Sequence, residues 1–115
     1  MKKYTENDLK NDVLTWLWLH NLFAWRENVS PIPTGKIING QMIFRKIQKW
    51  EKRGKPDIMC ILPNKMFWGI ETKSEGEKQS EEQKRFQQEC PGFYVVAWSI
   101  KDVEDYFFKH IKGLI

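Results

Sequence analysis

The sequence predicts an α/β domain in which a mixed β-sheet is flanked by helices. Three observations predict it. Two near-continuous apolar runs, Ile58 to Leu62 and Phe93 to Trp98, have the length and make-up of strands buried on both faces. Three segments begin with Ser or Thr followed three residues later by an acid or Gln, the mark of a helix start: Thr5-Glu6-Asn7-Asp8, Ser80-Glu81-Glu82-Gln83 and Ser99-Ile100-Lys101-Asp102. The resulting order, helix, strands, helix, strand, helix, is that of a sheet layered with helices.

Each element has its own warrant. Leu9, Val13, Trp16, Leu17 and His20 recur at helical spacing, so an amphipathic helix runs from about Glu6 to about His20. Phe23 to Glu27 reads as a short strand, after which Pro31, Pro33 and Gly35 interrupt the chain. Asn39-Gly40 sits between Ile37-Ile38 and Met42-Ile43-Phe44, the dipeptide that type I′ hairpin turns favour. Pro63-Asn64-Lys65 turns the Ile58 to Leu62 strand back into a second one, Phe67 to Lys73. A polar loop from Ser74 to Gln79 leads to the helix opened at Ser80, which Pro91-Gly92 closes. The last helix carries Val103, Tyr106, Phe107 and Ile111 on one face.

The length of 115 residues is that of one domain, 1–115. At 41% hydrophobic and 14% aromatic the chain has material for a packed core, which excludes intrinsic disorder. The longest apolar stretch is far too short to span a bilayer, so no membrane partner is expected. Met1-Lys2-Lys3 runs straight into Glu6, Asp8, Lys10 and Asp12, without the apolar segment of a secretory signal, and an intracellular (cytoplasmic) setting is expected. Cys60 and Cys90 make neither a disulfide framework nor a metal-ligand spacing, and His20 and His110 are too far apart for a His-based site. His20 near a helix end reads as a helix-end charge rather than a catalyst.

The net charge of +4 is unevenly spread. Lys36, Arg45, Lys46, Lys49, Lys52, Arg53 and Lys55 face the single acid Glu51, so that segment carries +6 and the rest of the chain −2. Such a concentration suits a polyanion; a Lys-rich solvated loop would look the same on charge alone.

The chemistry-bearing residues follow this segment. Asp57, after Gly54-Lys55-Pro56, begins one strand and Glu71-Thr72-Lys73 ends the next. Side chains alternate along a strand, so Glu71 and Lys73 share a face. A tight hairpin between the strands brings Asp57 beside Glu71. Two carboxylates held close repel unless a cation lies between them, and hard oxygen ligands select Mg²⁺ or Mn²⁺. A cation there polarises a phosphodiester, and an adjacent lysine positions the attacking water. A lone Glu-x-Lys is more often a surface ion pair; the preceding Pro-Asp, the hairpin and the basic segment shift the balance.

Pro56-Asp57 followed by Glu71-Thr72-Lys73 resembles the PD-(D/E)XK nuclease superfamily, whose core is the restriction-endonuclease-like one, and the fuller pattern is similar to its virus-type replication-repair nuclease branch, VRR-NUC. That branch has an early Glu on an N-terminal helix, an Arg ending the next strand, Gly-x-Pro-Asp, Glu-x-Lys and a helix opening Ser-x-x-Gln. Here these positions read Glu6, Arg26, Gly54-Lys55-Pro56-Asp57, Glu71-Thr72-Lys73 and Ser80-Glu81-Glu82-Gln83. Glu27-Asn28-Val29-Ser30 departs from the pattern, which has Asn, a small residue and Gly after the Arg.

The resemblance implies a metal-dependent endonuclease. Asp57, Glu71 and the backbone carbonyl of Thr72 are expected to hold Mg²⁺, which Mn²⁺ can replace, with Glu6 reaching it through water or a second ion. Lys73 is expected to orient the attacking water, and Gln83 to belong to the site. Glu6 shares the stripe of Leu9 and Val13, which favours a site role over simple helix-dipole compensation; for Gln83 the capping box alone is also a sufficient explanation. Arg26 and the basic residues Lys36, Arg45, Lys46, Lys49, Lys52, Arg53 and Lys55 are expected to contact DNA. The resemblance further implies a 5′-phosphate and a 3′-hydroxyl product and, as in small stand-alone members that resemble Holliday-junction resolvases, a homodimer on branched DNA; larger members embed the domain in structure-specific repair nucleases. A nickase, a flap nuclease, a restriction-type enzyme, a non-catalytic nucleic-acid-binding module and a purely structural domain are the alternatives. Trp16, Trp18, Trp50 and Trp68 exceed what one face of one core accommodates, which suits a partner surface.

Overall fold

The computed structural model describes residues 3–27, 32–45 and 54–115, with the backbone alone for 32–34 and 43–45. Its elements are α1 (Glu6–Leu19), β1 (Phe23–Arg26), β2 (Ile32–Ile38), β3 (Gln41–Arg45), β4 (Ile58–Ile61), β5 (Phe67–Thr72), α2 (Glu81–Glu89), β6 (Phe93–Ala97) and α3 (Ile100–Tyr106). Beyond α3 the chain widens into a π-helical turn, Phe107–Ile111, which keeps Phe107 and Ile111 buried in line with Val103.

All three helices begin where the capping sequences place them. Thr5 accepts from the Asp8 backbone N–H while Asp8 accepts from that of Thr5, and Ser80 with Gln83 and Ser99 with Asp102 repeat the exchange. Each box satisfies two of the backbone donors that a helix start leaves without partners. The end of α1 is built on Asn21, at φ 59°, with the Asn21 N–H on the Trp18 carbonyl and the Leu22 N–H on that of Leu17. Asn tolerates this left-handed position, and the two bonds close the last turn of the helix.

The main sheet has the order β1-β4-β5-β6. β1 pairs antiparallel with β4, β4 antiparallel with β5, and β5 parallel with β6, which makes the sheet mixed as expected. β2 and β3 form a separate two-stranded sheet joined at Asn39 (φ 52°) and Gly40 (φ 79°), the two left-handed positions that a type I′ turn requires.

One face of the main sheet carries the core. Leu9, Val13 and Leu17 of α1 and Val103, Phe107 and Ile111 pack on Ile58, Cys60, Trp68, Ile70, Val95 and Ala97. The Trp68 indole is fully buried and stacks on the rings of Tyr106 and Phe107. Trp16 packs against this core and stacks on His20, whose Nδ1 lies 2.8 Å from the Trp16 carbonyl, so His20 does belong to the helix end. Trp18 is exposed, with its indole N–H on the Ala24 carbonyl, and Trp50 lies outside the described residues.

β4 departs from the sequence expectation of burial on both faces. Ile58 and Cys60 are fully buried, but Met59 and Ile61 are only half-buried. The second face of the sheet is covered less completely, because α2 buries none of its residues. That face is the one available to polar chemistry. Among the described residues no helix is long and apolar enough to cross a membrane.

The two free cysteines differ in setting. Burial pushes the Cys60 thiol up to about 12, and pushes the half-buried Cys90 thiol up less far. Thiolate is the reactive form, so a maleimide probe at neutral pH should label Cys90 in the native protein and Cys60 only after unfolding. Rapid native labelling of both, read by intact mass, would contradict this packing.

Candidate active site

The site is assembled at the end of the β4–β5 hairpin. The ladder pairs Ile58 with Ile70, so Asp57 falls opposite Glu71, as the short turn requires. Asp57 is then fixed from both sides. Its carbonyl accepts from the Glu27 N–H at the end of β1, at 2.8 Å. Its Oδ2 accepts from the Thr72 N–H at 2.8 Å and from the Thr72 hydroxyl at 3.1 Å. Oδ1 is left facing the Lys10 ammonium, 3.6 Å away.

Glu71 is fully buried, and its two oxygens have different surroundings. Oε1 accepts from the Tyr94 hydroxyl at 2.6 Å and, more weakly, from the Gln79 amide at 3.4 Å. Among the described residues Oε2 accepts no hydrogen bond, although the Lys73 ammonium lies 3.5 Å from it. The ammonium is too far for a good hydrogen bond, so this oxygen is left with an ion-pair contact.

Lys73, itself only 6% exposed, donates to Gln83 Oε1 at 2.8 Å. The same Gln83 oxygen accepts from the Ser80 backbone N–H at 2.8 Å, within the α2 cap. One Gln83 atom thus serves both the α2 cap and the contact to Lys73. Gly54 makes this possible. At φ 77° it packs so closely on the first turn of α2 that a Cβ there would lie 2.2 Å from the Glu82 carbonyl oxygen.

The remaining expected residues are distributed as follows. Glu6 is half-buried in the first turn of α1 and pairs with Lys10 at 3.7 Å, so Lys10 stands between the Glu6 and Asp57 carboxylates. Arg26 is exposed and donates to Asn11 at 3.4 Å. Lys55 forms an ion pair with Glu27 at 3.2 Å, and Glu27 also accepts from the Trp25 indole. The Trp25 hydrogen bond, together with Lys55, holds the Glu27 carboxyl below the usual range against the opposing effect of its burial. Lys55 is thus committed to bracing the β1 end. Lys36 is exposed on β2. Lys46, Lys49, Lys52 and Arg53 lie outside the described residues, as does the side chain of Arg45.

Sequence reasoning missed Lys10, Gln79 and Tyr94. Lys10 carried a signal, the i,i+4 spacing from Glu6. Tyr94 is revealed only by the parallel register that places it beside Gly69.

The donors fit a hard divalent cation: carboxylate oxygens, one of them buried and without a hydrogen bond, with the Thr72 carbonyl adjacent in sequence to Glu71. Among the described residues no group of three or more His, Cys, Asp or Glu side chains is gathered tightly enough to hold an ion by itself. The offer is two carboxylates, with Glu6 set behind Lys10.

A solved structure titled "VRR_NUC domain" matches this architecture with a TM-score of 0.56, over 92% of this chain and 96% of that one, at 21% sequence identity. The fold is that of a VRR_NUC domain. No protein-family model and no curated protein matches the chain. At this identity the likeness to the VRR_NUC structure is one of fold, and the chemistry has to be argued from the side chains above.

Gly54→Ala tests the link between Asp57, α2 and Lys73. It should lower Tm by roughly 5–10 °C through overpacking against backbone, clearly more than Gly76→Ala, which has a similar φ of 81° but nothing within 4 Å of the added Cβ. Equal shifts in the two thermal melts would show that the α2 contact is dispensable.

Proposed function

We propose that this protein is a metal-dependent DNA endonuclease working through Asp57, Glu71 and Lys73. The observation that carries the reading is the buried Glu71 whose Oε2 has no hydrogen-bond donor, beside an immobilised Asp57 and a lysine held by Gln83. Among the described residues Oε2 meets only the Lys73 ammonium, at 3.5 Å and beyond good hydrogen-bond length, so a closer cation would serve it better than this ion pair does. The VRR_NUC fold supports the same reading.

Asp57, Glu71 and the Thr72 carbonyl would hold Mg²⁺ or Mn²⁺, which when bound polarises the scissile phosphate and offsets the charge that develops on it. The other roles belong to the chain. Gln83 aims the Lys73 ammonium, which would donate to and orient the attacking water. The oxygen of that water would bond to phosphorus, giving up a proton to solvent, as the bond to the 3′ oxygen breaks; the 3′ oxygen would take a proton from solvent and the phosphate stay on the 5′ side. Lys10 and Glu6 line the Asp57 side of the site, where a phosphate neighbouring the scissile one would meet the Lys10 ammonium.

The substrate we propose is branched DNA, cut by a homodimer. One metal centre per 115-residue chain makes one incision, and resolving a four-way junction takes two incisions related by symmetry. Trp18, Leu19 and Phe23, 55%, 74% and 71% exposed, cluster in sequence at the α1–β1 connection and favour a partner there. Sedimentation should show a dimer at micromolar concentration; a monomer with and without junction DNA would leave a nickase or flap nuclease.

Asp57→Asn is the sharpest test of the chemistry. Asn keeps an oxygen to accept from Thr72, so the fold should persist, while the charge offered to the cation is lost. Cleavage of labelled linear, flap and four-way DNA in Mg²⁺ should fall at least a hundredfold, with Tm in EDTA unchanged or higher. Wild-type cleavage by this variant would remove Asp57 from the mechanism.

Lys73→Ala should reduce the single-turnover rate much more than DNA affinity, because its interaction with the attacking water strengthens in the transition state. It also leaves Glu71 without its ammonium, so a stability loss of about 3–5 kcal/mol is expected alongside. A loss of affinity with an unchanged single-turnover rate would reduce Lys73 to a phosphate contact.

A further inference from the structure

We propose that Tyr94 is a positioning residue for the site: its hydroxyl, 2.6 Å from Glu71 Oε1, engages one oxygen of that carboxylate and leaves Oε2, on the side of the Lys73 ammonium, to meet the cation. This inference rests on the metal-binding reading above and adds to it the device that orients the ligand.

The register provides the geometry. β6 runs parallel to β5 with Tyr94 paired to Gly69, so Tyr94 shares the sheet face of Gly69 and Glu71, across the strand from them. Gly69 leaves the space that the ring occupies. A Cβ there would come within 3.1 Å of Tyr94 Cδ2 and 2.9 Å of Pro56 Cγ, so any larger residue would push the phenol away from Glu71. Tyr94 is itself held at its backbone, where its N–H donates to the Tyr106 hydroxyl at 3.2 Å, and at its ring, which lies 6.0 Å from that of Phe86. Tyr106 in turn stacks on the buried Trp68. The hydroxyl is thus placed from the core side of the sheet as well as from its own face.

The asymmetry between the two Glu71 oxygens matters for the ligand. A carboxylate free to rotate can bind a cation through either oxygen or both. With Oε1 engaged by Tyr94 and approached by Gln79, Oε2 is the oxygen left for coordination, and it lies on the side of Lys73. Groups that hydrogen-bond a ligating carboxylate in this way fix its orientation, and removing one weakens metal affinity by about 10–100-fold.

The test is Mn²⁺ binding to the protein without DNA, followed by titration calorimetry for wild type, Tyr94→Phe and Asp57→Asn. Tyr94→Phe keeps the ring, so the fold should survive, and Mn²⁺ affinity should fall about tenfold. Wild-type affinity in Tyr94→Phe, with Asp57→Asn impaired, overturns the role of Tyr94 and leaves the metal reading intact. Wild-type affinity in Asp57→Asn, or no binding by the wild-type protein, overturns the metal reading and this inference with it. A second measurement covers failure of the Phe variant to fold. Cation binding at Glu71 alters the charge beside the phenol, so Mn²⁺ should produce a tyrosine difference band in wild-type near-ultraviolet absorption, saturating with the calorimetric isotherm. Absence of that band during saturable binding overturns the proposal.

Discussion

A carboxylate with no exposed surface is the constraint around which this molecule is arranged. Transferring such a group into a sheet costs several kcal/mol unless donors surround it, and Glu71 is fully buried. Lys73 and Tyr94 meet most of that need, one from the same strand and one from the parallel neighbour. The consequence spreads outward. Lys73 is also nearly buried and needs its own acceptor, Gln83; Gln83 is set by the Ser80 cap; and the first turn of α2 can reach this far because Gly54 has no side chain. A helix that buries no residue of its own is therefore positioned by polar contacts at its first turn. Such an element is tuned by single hydrogen bonds in a way that a core helix is not.

The two faces of the sheet divide the labour between stability and chemistry. α1 and α3 cover one face with aliphatic and aromatic side chains, and the order of β4 and β5 sends Ile58, Cys60, Trp68 and Ile70 to that side. The alternate positions, Gly69, Glu71 and Lys73, then fall on the other face by the period of the strand alone. The polar constellation can be altered without emptying the core, which is why the acid-to-amide change at Asp57 is expected to leave folding intact. α1 links the faces at the sheet end, since its buried stripe of Leu9 and Val13 fixes the direction in which Glu6 and Lys10 approach Asp57.

Much of this was legible in the sequence, for identifiable reasons. Capping boxes are local, and all three form at the residues that spell them. The Asp57–Glu71 juxtaposition was legible because a tight turn leaves a hairpin almost no freedom of register. Burial of β4 on both faces was misjudged, because an apolar run does not reveal how fully a distant helix covers it. Whether the Asn39-Gly40 hairpin joined the main sheet was equally undetermined, as its turn fixes the pairing of β2 with β3 and nothing beyond. Tyr94 was invisible for a deeper reason. Its partner lies 23 residues away across a parallel pairing, whose register is set by the packing of the crossover and not by any local signal. The family pattern supplied Glu6, whereas Lys10, which stands between Glu6 and Asp57, belonged to no part of it.

Lys10 changes the electrostatic logic of the site. Glu6, Asp57 and Glu71 carry a formal −3, and Lys10 and Lys73 return +2, so the assembled cluster holds a surplus of one negative charge. A surplus of that size opposes folding less than a bare three-carboxylate cluster would, since the lysines offset most of the self-repulsion. On the reading proposed here, a divalent cation would reverse the sign to +1, the complement of a single phosphodiester. Without the cation the cluster would repel a DNA backbone; with it, the same side chains would attract one. The two lysines sit on opposite sides of the carboxylates, Lys10 beside Asp57 and Lys73 beside Glu71, so the attraction would be centred on the position where the bond is to be broken. The sign of the site, and not only its ligand set, would then couple metal binding to substrate binding.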